Sequence, residues 1–552
     1  MSTAAPPRGQ RDGFRDARAA GDLTGTGRLF RFALLRDRLR VPLWALALGG
    51  LVGYFGAVLP LAYPDQAALQ TRAAILKDPS GALLSGPGYG LENYTLGAML
   101  ANEVLGMLAV AAALMSIFLV VRHTRAEEES GRAELVRAGV VGRYAPLTAA
   151  LGALLVANGA VAVVLAAAML GNGLAGADSL ALAAGVAAVG LVFGAGAAVT
   201  AQLSQSARGA TGLAGGALGL AYLLRGIGDA QRVGGSTLSW LSPVGWSQQT
   251  RAFVDLRWWP LLPSAVLAAL LCLAAYLLAS RRDLGAGLLA ARPGPSRATR
   301  ALASPAGLAL RLERGSILSW CLGLFAFALL TGSMGRTIVE SFEARPELAV
   351  VIGGSTGGDA LRATLSAFLR YFAMAVAVHA VVTVNRLRRE EDSGRTALLL
   401  AAGAGRARLL LHCLAVTLAA DALLLLAAGF GLGAGAASAV GPGAGNLALE
   451  FTAASLAYLP LVSCFAALTA LAYGLRTGSW WVWLILIASL LIGLYGPILR
   501  LPEALLDAEP FGLVPAVPSV PLNGNPLLLM GLTALVLLAA AVPAFRRRDL
   551  SV

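Results

Sequence analysis

Residues 96–121 read LGAMLANEVLGMLAVAAALMSIFLVV, and residues 122–132 that follow read RHTRAEEESGR. The first stretch is longer than the roughly 20 apolar residues a helix needs to cross about 30 Å of hydrocarbon. The second is dense in charge and closes on Gly131-Arg132. The pattern returns 263 residues later: Arg125-Ala-Glu-Glu-Glu-Ser-Gly-Arg132 matches Arg388-Arg-Glu-Glu-Asp-Ser-Gly-Arg395 without a gap, again directly after an apolar run. The match extends to Gly142-Arg143 against Gly405-Arg406. A second echo closes each half, Arg281-Arg282-Asp283-Leu284 against Arg547-Arg548-Asp549-Leu550, and Trp44 and Trp320 open the first apolar run of each.

Working outward, the whole chain has the composition of a protein dissolved in a bilayer. Of 552 residues 57% are hydrophobic and 13% charged, and the mean hydropathy is +0.72. Soluble classes are excluded on these values. Apolar runs predict helices over 41–62, 96–121, 146–171, 180–203, 210–224 and 259–279, then over 317–334, 363–385, 409–433, 447–474, 479–499 and 526–545. The fold expected is therefore all-α and polytopic, with 12 transmembrane helices in two fused six-helix halves, 1–280 and 305–552. A Pro- and Gly-containing cytoplasmic linker, 281–304, joins them. The weakest run is 210–224, which stops before Arg225; its counterpart 479–499 supports it. Segments 28–40 and 308–316 have the mixed character of helices lying on the inner membrane surface.

Each half has an even number of crossings, so both sit the same way up and the pseudo-twofold axis runs along the membrane normal. With the N-terminus inside, about 32 of the 43 basic residues fall in cytoplasmic segments, the asymmetry that fixes topology. Both termini are expected in the cytoplasm, and the first helix is expected to remain uncleaved because its apolar run is too long for a signal-peptide core. The net charge of +13 then belongs to inward-facing loops and does not point to nucleic acid. The four cysteines, Cys272, Cys321, Cys413 and Cys464, have no close spacing and read as free thiols.

A phosphate-binding loop needs a lysine after a Gly-rich turn. The chain has one lysine, Lys77, in Ile75-Leu-Lys-Asp-Pro79, which the topology puts outside. No catalytic triad, metal cluster or paired carboxylates in a soluble cleft is present, so the chain is not expected to be an enzyme, and any nucleotide is bound by another polypeptide. The paired loops are the candidate site. Glu127, Glu128, Glu129, Gly131 and Arg132, with Glu390, Glu391, Asp392, Gly394 and Arg395, form a charged helix end followed by a glycine break, a shape suited to docking on a soluble partner.

These loops resemble the coupling segment of ABC-2 type permeases. Gln202-Leu-Ser-Gln-Ser-Ala-Arg208, Leu223-Leu-Arg-Gly-Ile-Gly-Asp229, Trp240-Leu-Ser-Pro-Val-Gly-Trp246 and Arg257-Trp-Trp-Pro-Leu-Leu262 are similar to stretches of actinobacterial permeases described as exporters of polyketide antibiotics of the tetronasin kind. The second half departs from the pattern around Phe511 to Pro521, where Leu-Val-Pro-Ala-Val-Pro replaces Ser-Pro-Val-Gly-Trp. The resemblance implies an exporter in the bacterial cell membrane, with one such chain and two copies of an ATPase that carries the ATP and Mg. The substrate expected is small and hydrophobic or amphipathic. A secondary, ion-coupled multidrug transporter is the rival; it usually carries more ionisable residues near mid-membrane.

Glu103, Arg370, His379, His412 and Asp421 lie inside apolar runs, where charge is costly. Glu103 and Arg370 have related depth and opposite sign, and are expected to form an ion pair between the halves. His379 and His412 read as satisfied core or interfacial histidines. Trp258-Trp259 and Trp480-Trp481 read as interface anchors, and Arg225 to Trp258 resembles a re-entrant outer-leaflet hairpin.

Overall fold

In the computed structural model the described residues are 21–77, 79–283, 285–289, 296–299, 302, 304–335, 360–440, 446–495, 502, 504, 506 and 509–549. Their regular elements are all helices, with no strand among them. The chain folds as two compact units, Met1–Pro293 and Gly294–Val552.

In the first unit, helix α1 (Thr26–Arg36) precedes the long helix α2 (Arg40–Ala62). Short helices α3 (Gln66–Lys77) and α4 (Pro79–Ser85) follow. Then come α5 (Leu96–Glu129), the short α6 (Arg132–Arg137), α7 (Ala145–Gly171), α8 (Gly176–Leu203), α9 (Ala207–Gln231), the short α10 (Pro243–Gln248) and α11 (Leu261–Ala279). The second unit comprises α12 (Pro305–Ser333), α13 (Ala360–Asp392), the short α14 (Arg395–Ala401), α15 (Arg406–Val440), α16 (Leu447–Leu475), α17 (Trp480–Tyr495) and α18 (Gly524–Arg547). Among the described residues, 11 helices are long and apolar enough to cross a membrane; α17 is apolar but shorter. The chain is a multi-pass membrane protein.

The apolar runs account for these helices, and the departures have local causes. Helix α5 runs eight residues beyond the predicted end, so the acidic triplet lies on the helix itself. Its interior also holds a π-turn, Leu100–Val104, around Asn102 and Glu103. Helix α9 is 25 residues long and carries Arg225 and Asp229 inside it. They stand one turn apart and pair at 3.4 Å, which is how a charge can continue an apolar helix. The predicted surface segment 308–316 is continuous with the first crossing of its unit. Ser304 caps α12, Pro305 sits at its first turn and no breaker follows. In the first unit Asp37–Leu39 separates α1 from α2. The predicted hairpin from Arg225 begins as the last two turns of α9, followed by a loop and α10. The start of the predicted linker packs back on its own unit, where Leu288 and Leu289 donate backbone hydrogen bonds to the Gln202 and Leu203 carbonyls at 3.2 and 2.9 Å.

Both units bury their second and fourth long helices. The most apolar window of α5 is 72% buried, against 11% for the peripheral α11. Helices α13 and α16 reach 61%, against 17% for α18. Small residues permit this closeness. At Gly435 a Cβ would stand 2.1 Å from the Leu329 carbonyl oxygen, so α12 and α15 touch backbone to backbone.

Candidate functional site

The acidic end of α5 is held by its own unit. Glu128 takes Arg282 through both carboxylate oxygens, at 2.5 and 2.7 Å, and Arg125 at 2.9 Å. Glu127 pairs with Arg36 of α1 and with Arg132 at 3.4 Å. Glu129 accepts the Ala207 amide at 2.8 Å and so caps the N-terminus of α9. Arg125 is 1% exposed and donates to the Ala201 and Ala286 carbonyls, tying α5 to the end of α8. Gly131 then turns the chain with φ 75°, a left-handed conformation that favours glycine.

The second unit repeats the pattern at α13. Glu391 takes Arg548 through both oxygens, at 2.8 and 2.5 Å, and accepts the Tyr473 hydroxyl at 2.7 Å. Glu390 pairs with Arg395 and with Arg386 at 3.2 Å. Gly394 has φ 76°. The two sequence echoes therefore meet in space: in each unit the middle acid of the triplet binds the second arginine of the closing Arg-Arg-Asp-Leu. Asp392, like Glu129, is exposed.

Two further correspondences were not visible in the sequence. Asp37 binds His123 and, at 2.9 Å, Arg122. Glu313, at the matching distance before Trp320, binds Arg386, which matches His123. Burial would raise the Asp37 carboxyl, but hydrogen bonds from His123 and Arg122 outweigh it and hold the group below its ordinary value. Arg143 donates to the Ala279 and Ser280 carbonyls at 3.0 and 2.7 Å. Arg406 donates likewise to those of Arg546 and Arg548, at 3.1 and 2.5 Å. Each cation satisfies the open carbonyl end of the last long helix of its unit.

Glu127, Glu128, Glu390 and Glu391 therefore turn inward, and Glu129 and Asp392 stay exposed. What faces outward is the short helix after the glycine: Leu135 on α6 is 78% exposed and Leu398, 263 residues on in α14, is 71% exposed. Beside them the Arg132 and Arg395 side chains are 58% and 60% exposed. The sequence reading missed these leucines because a single apolar residue in a charged loop has no periodic partner to mark its face.

Glu103 and Arg370 each have a partner within their own unit. Glu103 binds Arg72 of α3 and accepts the Tyr94 hydroxyl at 3.1 Å. Arg370 lies 3.7 Å from Glu509. The pairing expected between them rested on related depth and opposite sign; within its own unit the chain supplies a counter-charge to each. His379 and Asp421, read separately in the sequence, meet at 2.7 Å. His412 has a buried ring nitrogen, Nδ1, with no hydrogen-bond partner among the described residues. The stretch Trp240 to Trp246 folds on itself, Trp246 Nε1 donating to the Trp240 carbonyl at 2.6 Å while Trp240 stacks on Trp259. Within the second unit, Leu414, Leu418, Leu459, Pro460, Leu528 and Leu532 line an apolar cleft of about 680 Å³. No group of three metal-ligating side chains is present among the described residues.

Two comparisons with known proteins bear on these features. Residues 302–546 match the family model described as "Multidrug efflux system permease Rv1217c, C-terminal domain". The chain is also 39% identical over 553 residues to the multidrug efflux system permease protein Rv1217c of Mycobacterium tuberculosis, the match covering the whole of both chains.

Proposed function

The chain belongs to the family of the multidrug efflux system permease Rv1217c, and from that premise we propose that it is the membrane subunit of an ATP-binding cassette exporter. A separate ATPase, in two copies that carry the ATP and Mg, drives it. One observation carries the reading: the same stapled, glycine-broken loop, with an exposed leucine beside an exposed arginine, closes the second long helix of both units. Two like surfaces call for two like partners.

The division of labour within each loop follows from burial. The inward acids lock the loop to the arginine of the last long helix, so that α6 and α14 are rigid extensions of their units. Leu135 with Arg132, and Leu398 with Arg395, are then the contact elements: an apolar knob for a pocket and a cation for register. A push delivered there reaches the second and last long helices together through Glu128–Arg282 and Glu391–Arg548. In this arrangement the twelve apolar helices, α17 included, form two parallel six-helix repeats with both termini in the cytoplasm. The compound moved is hydrophobic or amphipathic, polyketide antibiotics among the candidates.

Affinity purification of the tagged chain from its native membrane tests the reading. A P-loop ATPase should copurify, and Leu135→Asp with Leu398→Asp should release it while the chain still inserts. Recovery of the chain with no ATP-binding protein would count against the proposal.

A further inference from the structure

Deep in the second unit, His379 of α13 donates or accepts through Nδ1 with Asp421 Oδ1 of α15 at 2.7 Å. The two residues are 1% and 0% exposed. The other imidazole nitrogen, Nε2, lies 3.3 Å from Thr383 Oγ1, and the Trp320 ring stands edge-on to the imidazole at 5.6 Å. The second carboxylate oxygen of Asp421 is buried with no protein hydrogen-bond partner among the described residues. At the repeat spacing of 263 residues the first unit has Ser116 and Asn158, on the equivalent helices α5 and α7. They too are in contact: Asn158 donates to Ser116 Oγ at 2.9 Å. They are 0% and 1% exposed. The same buried place thus holds a neutral pair in one unit and a titratable pair in the other.

We propose that His379 and Asp421 form a binding site for one proton inside the second unit, a site whose counterpart in the first unit binds none. Its two states differ by that proton alone. Without it, a neutral imidazole donates Nδ1–H to the Asp421 carboxylate, Nε2 accepts from the Thr383 hydroxyl, and the pair has a net charge of −1. With it, Nε2–H donates to Thr383 Oγ1, the hydroxyl turns round, and the pair is neutral overall. Ser116 and Asn158 have no such pair of states, since neither side chain titrates in water.

The surroundings leave this proton to the pair itself. His379 is the charged or titratable group that acts on the Asp421 carboxylate. On the elements packed against α13, the acids are engaged elsewhere, and Arg311, Arg314 and Arg408 are exposed near the starts of α12 and α15. Glu313 of α12 is bound by Arg386, and Glu390 by Arg386 and Arg395. Glu391 is taken by Arg548 and by Tyr473 of α16. Glu450 of α16 is bound by Arg362 at 3.0 Å, and Glu509 lies beside Arg370. On α15, Arg406 caps the end of α18, while His412 stands nine residues, about 13 Å, before Asp421. Cys464 donates its thiol to the Met530 carbonyl, and Cys321, Cys413 and Tyr458 are uncharged in their ordinary state. Helix α17 has no charged residue.

The chain has three histidines, which makes the test direct. The full-length protein, with ¹⁵N-labelled imidazole rings, is reconstituted in lipid nanodiscs and its nitrogen resonances are followed from pH 5 to pH 9. The double variant His379→Ser with Asp421→Asn copies the pair the first unit already packs and identifies the His379 signal; should it not fold, His123→Gln and His412→Gln identify it by elimination. The proposal expects that signal to pass between the neutral and the doubly protonated imidazole within the range, and Asp421→Asn to lower its midpoint by at least one pH unit, a tenfold change in proton affinity. A His379 resonance that keeps one protonation state throughout, or a midpoint that Asp421→Asn leaves unmoved, would overturn it.

Discussion

Arg125 and Arg388 open the same motif, yet they are held differently. Arg125 is 1% exposed and donates to carbonyls at the end of α8, whereas Arg388 is exposed to solvent. Glu129 caps α9, whereas Asp392 makes no such cap among the described residues, though both are exposed. The pairs of Glu128 with Arg282 and of Glu391 with Arg548 are nonetheless the same in both units. The comparison separates two kinds of contact: the bridge from the second long helix to the last is common to both units, and the tethers of Arg125 and Glu129 are found, among the described residues, in the first alone.

The common bridge carries the largest expected effect. The Arg282 and Arg548 side chains are 8% and 10% exposed, so removing the acid strands a largely buried cation, a change that costs about 3–5 kcal/mol in general. Glu128→Ala and Glu391→Ala should each lower the thermal unfolding midpoint of the purified chain by several degrees. Each also loses a second donor, Arg125 for Glu128 and the Tyr473 hydroxyl for Glu391. Small shifts would show the bridges to be solvated surface pairs.

The tethers should break the likeness between the units. Arg125→Ala removes hydrogen bonds to carbonyls buried beneath it and should cost about 1–3 kcal/mol. Arg388→Ala should stay within about 0.5 kcal/mol, as exposed substitutions do. Unfolding midpoints of the two variants, measured side by side, check the difference. Comparable losses would mean that Arg388 is held as firmly as Arg125.

The turn should restore the likeness. Gly131 and Gly394 have the same left-handed φ, and no atom lies within 4 Å of where a Cβ would be added. Gly131→Ala and Gly394→Ala should therefore cost only the backbone conformational penalty, about 1 kcal/mol each, and equally. Unequal shifts would indicate that the loops bend differently.

The smallest effect expected is one of pH. Hydrogen bonds from neighbouring His123 and Arg122 outweigh burial and hold the Asp37 carboxyl below its ordinary value. A depressed carboxylate contributes stability that is fully present above its unfolded pKa and is lost as pH falls through the folded one. Asp37→Asn should therefore narrow its deficit against the parent chain only below about pH 4. A deficit constant from pH 7 to pH 3 would assign the cost to packing instead.

The helices were legible in the sequence because an apolar run of about 20 residues has few other uses. The glycine break was legible for the same kind of reason, being one residue type with a particular backbone freedom. What the acids face was not. Their partners lie far along the chain, Arg36 in α1 for Glu127 and Arg282 after α11 for Glu128, and sequence pattern speaks only to neighbours on one element. Charge in a loop therefore read as an outward surface, and the outward residue, Leu135 or Leu398, read as nothing in particular. Helix α9 was drawn short because Arg225 looked like a stop; its partner Asp229 one turn on made it a continuation. The helices α9 and α17 illustrate the limit of argument by repeat. The first, predicted at 15 residues, spans 25, and its predicted support is the shorter helix among the described residues.

A photo-crosslinking amino acid placed at Leu135, at Leu398, or at the exposed Leu528 on α18 tests the central claim most directly. In native membranes both loop positions should capture an ATP-binding protein of one size, and Leu528 should not. Capture at neither loop position, or at one alone, would contradict the account of two equivalent docking loops.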